Sequence, residues 1–113
     1  METQTIVSQA TPMGRSSIAV IRLSGKQSFE IANKLSGTKS KRRHHDVVLL
    51  PIKDKKGRKI DSGVFTFFSE PRSYTGEEVV EVSCHGNPFI VKMIIEHSVS
   101  LGSRIAEPGE YTK

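Results

Sequence analysis

Residues 73–91, SYTGEEVVEVSCHGNPFIV, gather three carboxylates, one cysteine and one histidine into nineteen positions. Groups of these types can carry nucleophilic, acid–base or metal chemistry, and spacing decides among them. Cys84 and His85 are chain neighbours, and neighbours on a strand point to opposite faces, so they cannot pair as a nucleophile and its base. The chain has one cysteine and no CxxC, which removes the usual ligand set of a zinc site. By alternation Cys84 shares a face with Val80 and Val82 and reads as an inert core thiol. His85 falls where the strand gives way to a helix, and a structural hydrogen bond there accounts for it.

The segment SGKQS suggests a nucleotide site. A P-loop needs glycine five positions before the Gly-Lys pair and Ser or Thr directly after it, but those positions hold Val20 and Gln27. The chain itself is therefore expected neither to bind nor to hydrolyse GTP, and Gly25-Lys26 reads as the start of a helix. Two charges stand out within apolar runs. Arg22 shares, by parity, the face of Ile18 and Val20, and Glu81 shares that of Val79 and Ser83. Both faces read as buried. Each charge alone can be a strand-end group reaching solvent; together they can flank a cleft and hold a ligand with complementary polar groups.

The elements that must position these groups follow from hydrophobic period and punctuation. TIVSQA (5–10) and SIAVIRL (17–23) read as strands separated by the loop TPMGRSS. Ser24 is expected to cap a helix, with Gln27 completing a capping box, Phe29, Ala32 and Leu35 forming its apolar face beside Ile31, and Gly37 ending it. DVVLLPIKD (46–54) and KIDSGVFTFF (59–68) read as strands joined by a charged hairpin tip around Gly57. SEPRSYTGEE is a long loop and EVVEVSC (78–84) a strand. In NPFIVKMIIEHSVSLG, Asn87 is the N-cap, Pro88 the first helical residue and Gly102 the stop. Apolar residues including Phe89, Ile90, Met93 and Ile94 cover more than half of that helix, so it is expected to pack deeply. SRIA (103–106) is a last short strand. The order ββαβββαβ indicates an α+β fold with a mostly antiparallel or mixed sheet and two main helices.

The totals bound the function. One domain of 113 residues is long enough for a core without staples, but 35% hydrophobic content is low and implies that a partner covers apolar surface. Net charge is +5, and nine of the 17 basic residues lie between Lys39 and Lys59, a local patch that attracts polyanions without specifying one. Few aromatics interleave with it, and His44 and His45 read as part of a solvated loop. The single cysteine excludes an internal disulfide and fits a reducing compartment. The N-terminus has neither the basic nor the apolar region of a signal peptide, and no apolar run reaches the length of a membrane span. A cytoplasmic domain without membrane contact is the expectation. The closing EPGEYTK suggests a chain cut from something longer.

Three motifs in order, TIVSQATPMGRSSIAVIRLSG, SYTGEEVVEVSCHGNP and EPGEYTK, closely resemble the amino-terminal domain of the tRNA-modification GTPase family called MnmE or TrmE. The resemblance covers nearly the whole chain, 1–113, and is weakest through 36–46. It departs from the family pattern at Ser16-Ser17, Asn87 and Glu107. It implies a fold like the folate-binding domain of aminomethyltransferases, homodimerisation, and binding of 5-formyltetrahydrofolate as a stand-in for a tetrahydrofolate one-carbon donor. The family's folate contacts fall on Arg22 and Glu81. It further implies a flavoprotein partner, MnmG (GidA), modification of the wobble uridine of tRNA at carbon 5, and GTP, magnesium and potassium sites only in a GTPase domain beyond this chain. A carboxylate such as Glu81 can accept the adjacent amine and ring N–H of a pterin, and Arg22 suits the acceptors of the folate tail. Two rival readings stand beside this one: an interaction domain whose folate site has decayed, and a basic RNA-binding module resting on Lys39–Lys59.

Overall fold

The computed structural model describes residues 4–10, 17–69 and 78–107. The order is β1 Ile6–Gln9, β2 Ile18–Ser24, α1 Ser28–Ser36, β3 Val47–Lys53, β4 Lys59–Phe68, β5 Val79–His85, α2 Pro88–Ser100 and β6 Arg104–Ile105. This is the expected ββαβββαβ sequence, in an α+β fold. The strands form one mixed sheet in the order β3-β4-β5-β2-β1-β6. Only β1 and β6 run parallel; the other neighbours are antiparallel. The loops expected at TPMGRSS and SEPRSYTGEE fall mostly outside the described residues.

One face of the sheet carries the core. Ile21, Val82 and Phe65 stand opposite one another across β2, β5 and β4, and so do Leu23, Val80 and Phe67; all six are fully buried. Both helices cover this face: α1 through Ile31, Ala32 and Leu35, α2 through Val91 and Ile94. At roughly 1.5–3 kcal/mol per fully buried side chain, this layer supplies most of the fold's stabilisation. Cys84 lies in it, as its parity required, and is buried.

Two helix expectations are corrected. Ser24 is not the N-cap of α1: it is the last residue of β2, and α1 begins four residues later with Gln27 at the N-cap position and no side-chain cap from it. Gly25-Lys26 is a turn and not the first residues of a helix. Gly25 has φ 137°, and a Cβ there would press into Thr5, so only glycine lets the chain turn this close to β1. The long-range partner replaces the local cap, because the Gln27 N–H donates to Thr5 Oγ1 at 3.0 Å. Gly37 ends α1 in the left-handed conformation, as read. The second correction concerns α2. Its start is as expected, with Asn87 Oδ1 accepting from the Phe89 N–H at 2.8 Å and Pro88 first. It does not pack deeply. Phe89 is 76% exposed and Val99 is also exposed, because the sheet meets only one side of the helix.

Candidate functional site

Arg22 and Glu81 are brought together. The parity of each was read correctly, and the buried face expected for them is found only in part. Ala19, Ile21 and Leu23 point to the helices, so Ile18, Val20 and Arg22 occupy the opposite face, which neither helix covers; at one end of it Ile6, Ser24 and Val79 are buried, while Ile18 at the other is exposed. Glu81 occupies it too, directly across the ladder from Arg22. Arg22 donates from Nε at 3.0 Å and from Nη2 at 2.8 Å, and both bonds end on Oε2 of Glu81. Side-chain exposures of 19% and 32% leave the pair half-buried, on the surface but shielded enough for the charges to feel each other. Oε1 of Glu81 takes part in no hydrogen bond among the described residues.

The surroundings come from the register. Ser8, Arg22, Glu81, Thr66 and Val47 form one row across five strands. Val20, Ser83, Val64 and Leu49 form the next. Directly opposed residues point the same way, so the ion pair is flanked by Ser8 and Thr66 in its own row and by Val20, Ser83 and Val64 in the next, with Val47 and Leu49 one strand further out on β3. Ile18, Val47, Leu49 and Val64 are all exposed, Leu49 to 71%. A charged, hydrogen-bonding centre on a sheet face that also offers valine side chains can bind a flat ring by its face and orient it by its edge.

Cys84 and His85 do not form a reactive pair. Burial, followed by the negative charge of Asp61, pushes the Cys84 thiol up to about 11. His85 points outward and its Nδ1 meets Asp61 Oδ1 at 2.8 Å, while its backbone N–H donates to Asp61 Oδ2 at 2.9 Å. The structural hydrogen bond expected for His85 is therefore present, and its partner, Asp61, is the residue that sequence reading passed over. Its signal is an acid inside an apolar strand, KIDSGVFTFF. Burial tends to raise the Asp61 carboxyl, but hydrogen bonds from the His85 N–H, the His85 ring and the Ser62 N–H outweigh it and hold the group below its ordinary value. His97, in the last turn of α2, was also missed; it is buried with Nδ1 2.8 Å from the Lys53 carbonyl.

A groove of about 670 Å3 runs beside α2, between Val91, Lys92 and Ile95 on one wall and Gln9, Ile105 and Ala106 on the other. Arg22 and Glu81 do not line it. It touches their row only at Ser8, the cross-strand partner of Arg22. Its lining is mostly apolar, with Lys92 and Glu96 as its charged members. Among the described residues no three His, Cys, Asp or Glu side chains gather as a metal ion would require. Among the described residues no helix is long and apolar enough to cross a membrane.

Comparison with known proteins fits this geometry into a lineage. The family profile described as "GTP-binding protein TrmE N-terminus" matches residues 5–113. Proteins named tRNA modification GTPase MnmE are similar along almost the whole chain: 43% identical in Aquifex aeolicus over 97% of it, 43% in a Thermotoga species over 96%, and 41% in Yersinia pseudotuberculosis over 98%. The chain spans about a quarter of the length of these curated relatives. With a family match over nearly every residue and identities above 40%, the chain belongs to the TrmE amino-terminal family, the N-terminal part of MnmE-type tRNA modification GTPases.

Proposed function

We propose that this domain binds a tetrahydrofolate through Arg22 and Glu81 and pairs with a second copy of itself, in the service of tRNA modification. The observation that carries the reading is the half-buried Arg22–Glu81 pair on the sheet face that neither helix covers, with Oε1 of Glu81 in no hydrogen bond among the described residues. The residues suit the group. A pterin offers an apolar ring face and an edge of N–H donors; Val20 and Val64 provide the floor, and Glu81 accepts at the edge. Arg22 shares its guanidinium between Glu81 and any carbonyl or carboxylate of the ligand, as its fork of donors allows. Bound there, a tetrahydrofolate supplies a one-carbon unit. The chain's own contribution is to hold and orient it.

Pairing of two copies is supported by the same face. Four large apolar side chains exposed on one side of a sheet are an association surface by composition. A ligand on that face would then lie between subunits. On this reading GTP hydrolysis, with its magnesium and potassium, belongs to the larger part of the relatives that this chain does not match. The flavoprotein partner MnmG and modification of the wobble uridine at carbon 5 belong to the whole assembly, and the compartment is the cytoplasm.

Isothermal titration of the chain with 5-formyltetrahydrofolate tests the proposal. Saturable binding is the expected result. Absence of saturable heat at any accessible ligand concentration overturns it.

A further inference from the structure

Residues 39–59 carry nine basic and two acidic side chains, leaving the rest of the chain with eight basic and ten acidic. The fold gathers this charge along one edge of the sheet. α1 ends at Gly37 against Lys53, whose ammonium sits where a Gly37 side chain would be. The chain then returns to the other end of β3 at Val47, and the β3–β4 turn lies at the Lys53 end. At about 3.3 Å per residue, the strip is roughly 20 Å long.

Its cations are held apart from neutralising partners. Arg42 is used as a nail: it donates to Asn33 Oδ1 and Thr38 Oγ1 and lies over the Phe67 ring, which fixes the loop. The two acids turn to backbone amides, Asp46 to the Arg43 N–H and Asp54 to those of Lys56 and Arg58. Asp54 also pairs with Arg58. Lys39, Lys41, Arg43, Lys55, Lys56 and Lys59 are exposed and in no ion pair among the described residues. The sequence showed little aromatic interleaving; the fold adds some, stacking His44 on His45 at 5.3 Å and bringing Phe68 from β4 to 5.2 Å from His45.

We infer that the β3 edge is a docking surface for RNA, the lysines and Arg43 contacting backbone phosphates and the exposed His45 ring meeting a base. Row-like unpaired cations suit a phosphate backbone, and a ring stack beside them favours a nucleic acid over an acidic protein. This rests on the tRNA part of the proposed function and not on the tetrahydrofolate part.

The test is fluorescence anisotropy of the chain with a labelled, unmodified tRNA transcript, without folate, across a salt series. The expected wild-type plot of log affinity against log salt is steep, with a slope near −4 or beyond for about five phosphate contacts. The triple variant Lys55→Ala/Lys56→Ala/Lys59→Ala, and separately Lys39→Ala/Lys41→Ala/Arg43→Ala, should each weaken binding about tenfold or more and flatten the slope by about 2–3. Lys92→Ala, on α2, should change neither. Circular dichroism should show all variants folded, since every changed side chain is exposed. A flat wild-type slope, triple variants that bind like wild type, or displacement of RNA by poly-glutamate as readily as by unlabelled RNA of equal charge would each overturn the inference. Folate titration of the triple variants separates this failure from failure of the tetrahydrofolate reading.

Discussion

Arg22 and Glu81 stand opposite each other on β2 and β5, and the two bonds between them, 3.0 and 2.8 Å, end on a single carboxylate oxygen. An ion pair built only for stability would gain from a two-oxygen fork. Among the described residues the one-sided geometry leaves the other oxygen without a hydrogen bond, on the face that neither helix covers.

The pair should still couple energetically. A double-mutant cycle of Arg22→Ala and Glu81→Ala, read from denaturant midpoints, should give a coupling of about 1 kcal/mol, as expected for a half-exposed pair. A coupling near zero would mean that the bonds are not populated in solution. Neither single variant should unfold the domain, because neither side chain is in the core.

Asp61→Asn should cost about 1–3 kcal/mol, since it removes a buried carboxylate that accepts from the His85 backbone and ring. The sign of the pH dependence follows from the lowered folded value. The stabilisation is present above the unfolded carboxylate value, near 3.8, and is lost as pH falls through the lower folded value. The difference between the unfolding curves of wild type and variant should therefore be full at pH 7 and shrink as pH falls below 3.8. A gap that stays the same size would contradict the assignment.

Cys84 should resist thiol reagents while the protein is folded. With its thiol pushed up to about 11 by burial and by Asp61, the thiolate fraction at pH 8 is about one in a thousand, and the sulfur is also inaccessible. A colorimetric thiol assay should give one equivalent only after denaturant is added. Prompt reaction of native protein would show that the β5–α2 corner opens.

Leu49→Glu and Val64→Glu should each yield a folded monomer. Both side chains are exposed on the open face, so a charge there leaves the core intact but opposes association. Light scattering should report twice the chain mass for wild type and the single mass for the variants. Dimers that persist unchanged would place the contact elsewhere.

Much of the fold was legible because its signals are local. β4 was read to the residue from its β-branched and aromatic run, and α2 began where Asn87-Pro88 said it would. Alternation placed Cys84 on the core face and gave Arg22 and Glu81 their strand partners, but only the two read together, and the family resemblance, put them at one cleft. It could not say which face was covered, because helix placement depends on the crossovers from β2 to β3 and from β5 to β6. The Ser24 cap failed for a similar reason: Thr5, twenty-two residues away, supplies the acceptor that the local motif seemed to offer. Asp61 was missed because its partner His85 lies on another strand. The exposure of Phe89 was missed because α2 is apolar on sides that the sheet never reaches.

The central claim, that Glu81 on the open face receives a tetrahydrofolate, is tested most directly by titrating wild type and Glu81→Gln with 5-formyltetrahydrofolate side by side. The substitution keeps the shape of the side chain but turns an acceptor into a mixed donor and acceptor. A charge-assisted bond lost at a ligand edge is worth about 1.5–3 kcal/mol, so affinity should fall roughly ten- to hundredfold, with Arg22→Lys losing less. Equal binding by Glu81→Gln and wild type would contradict the account.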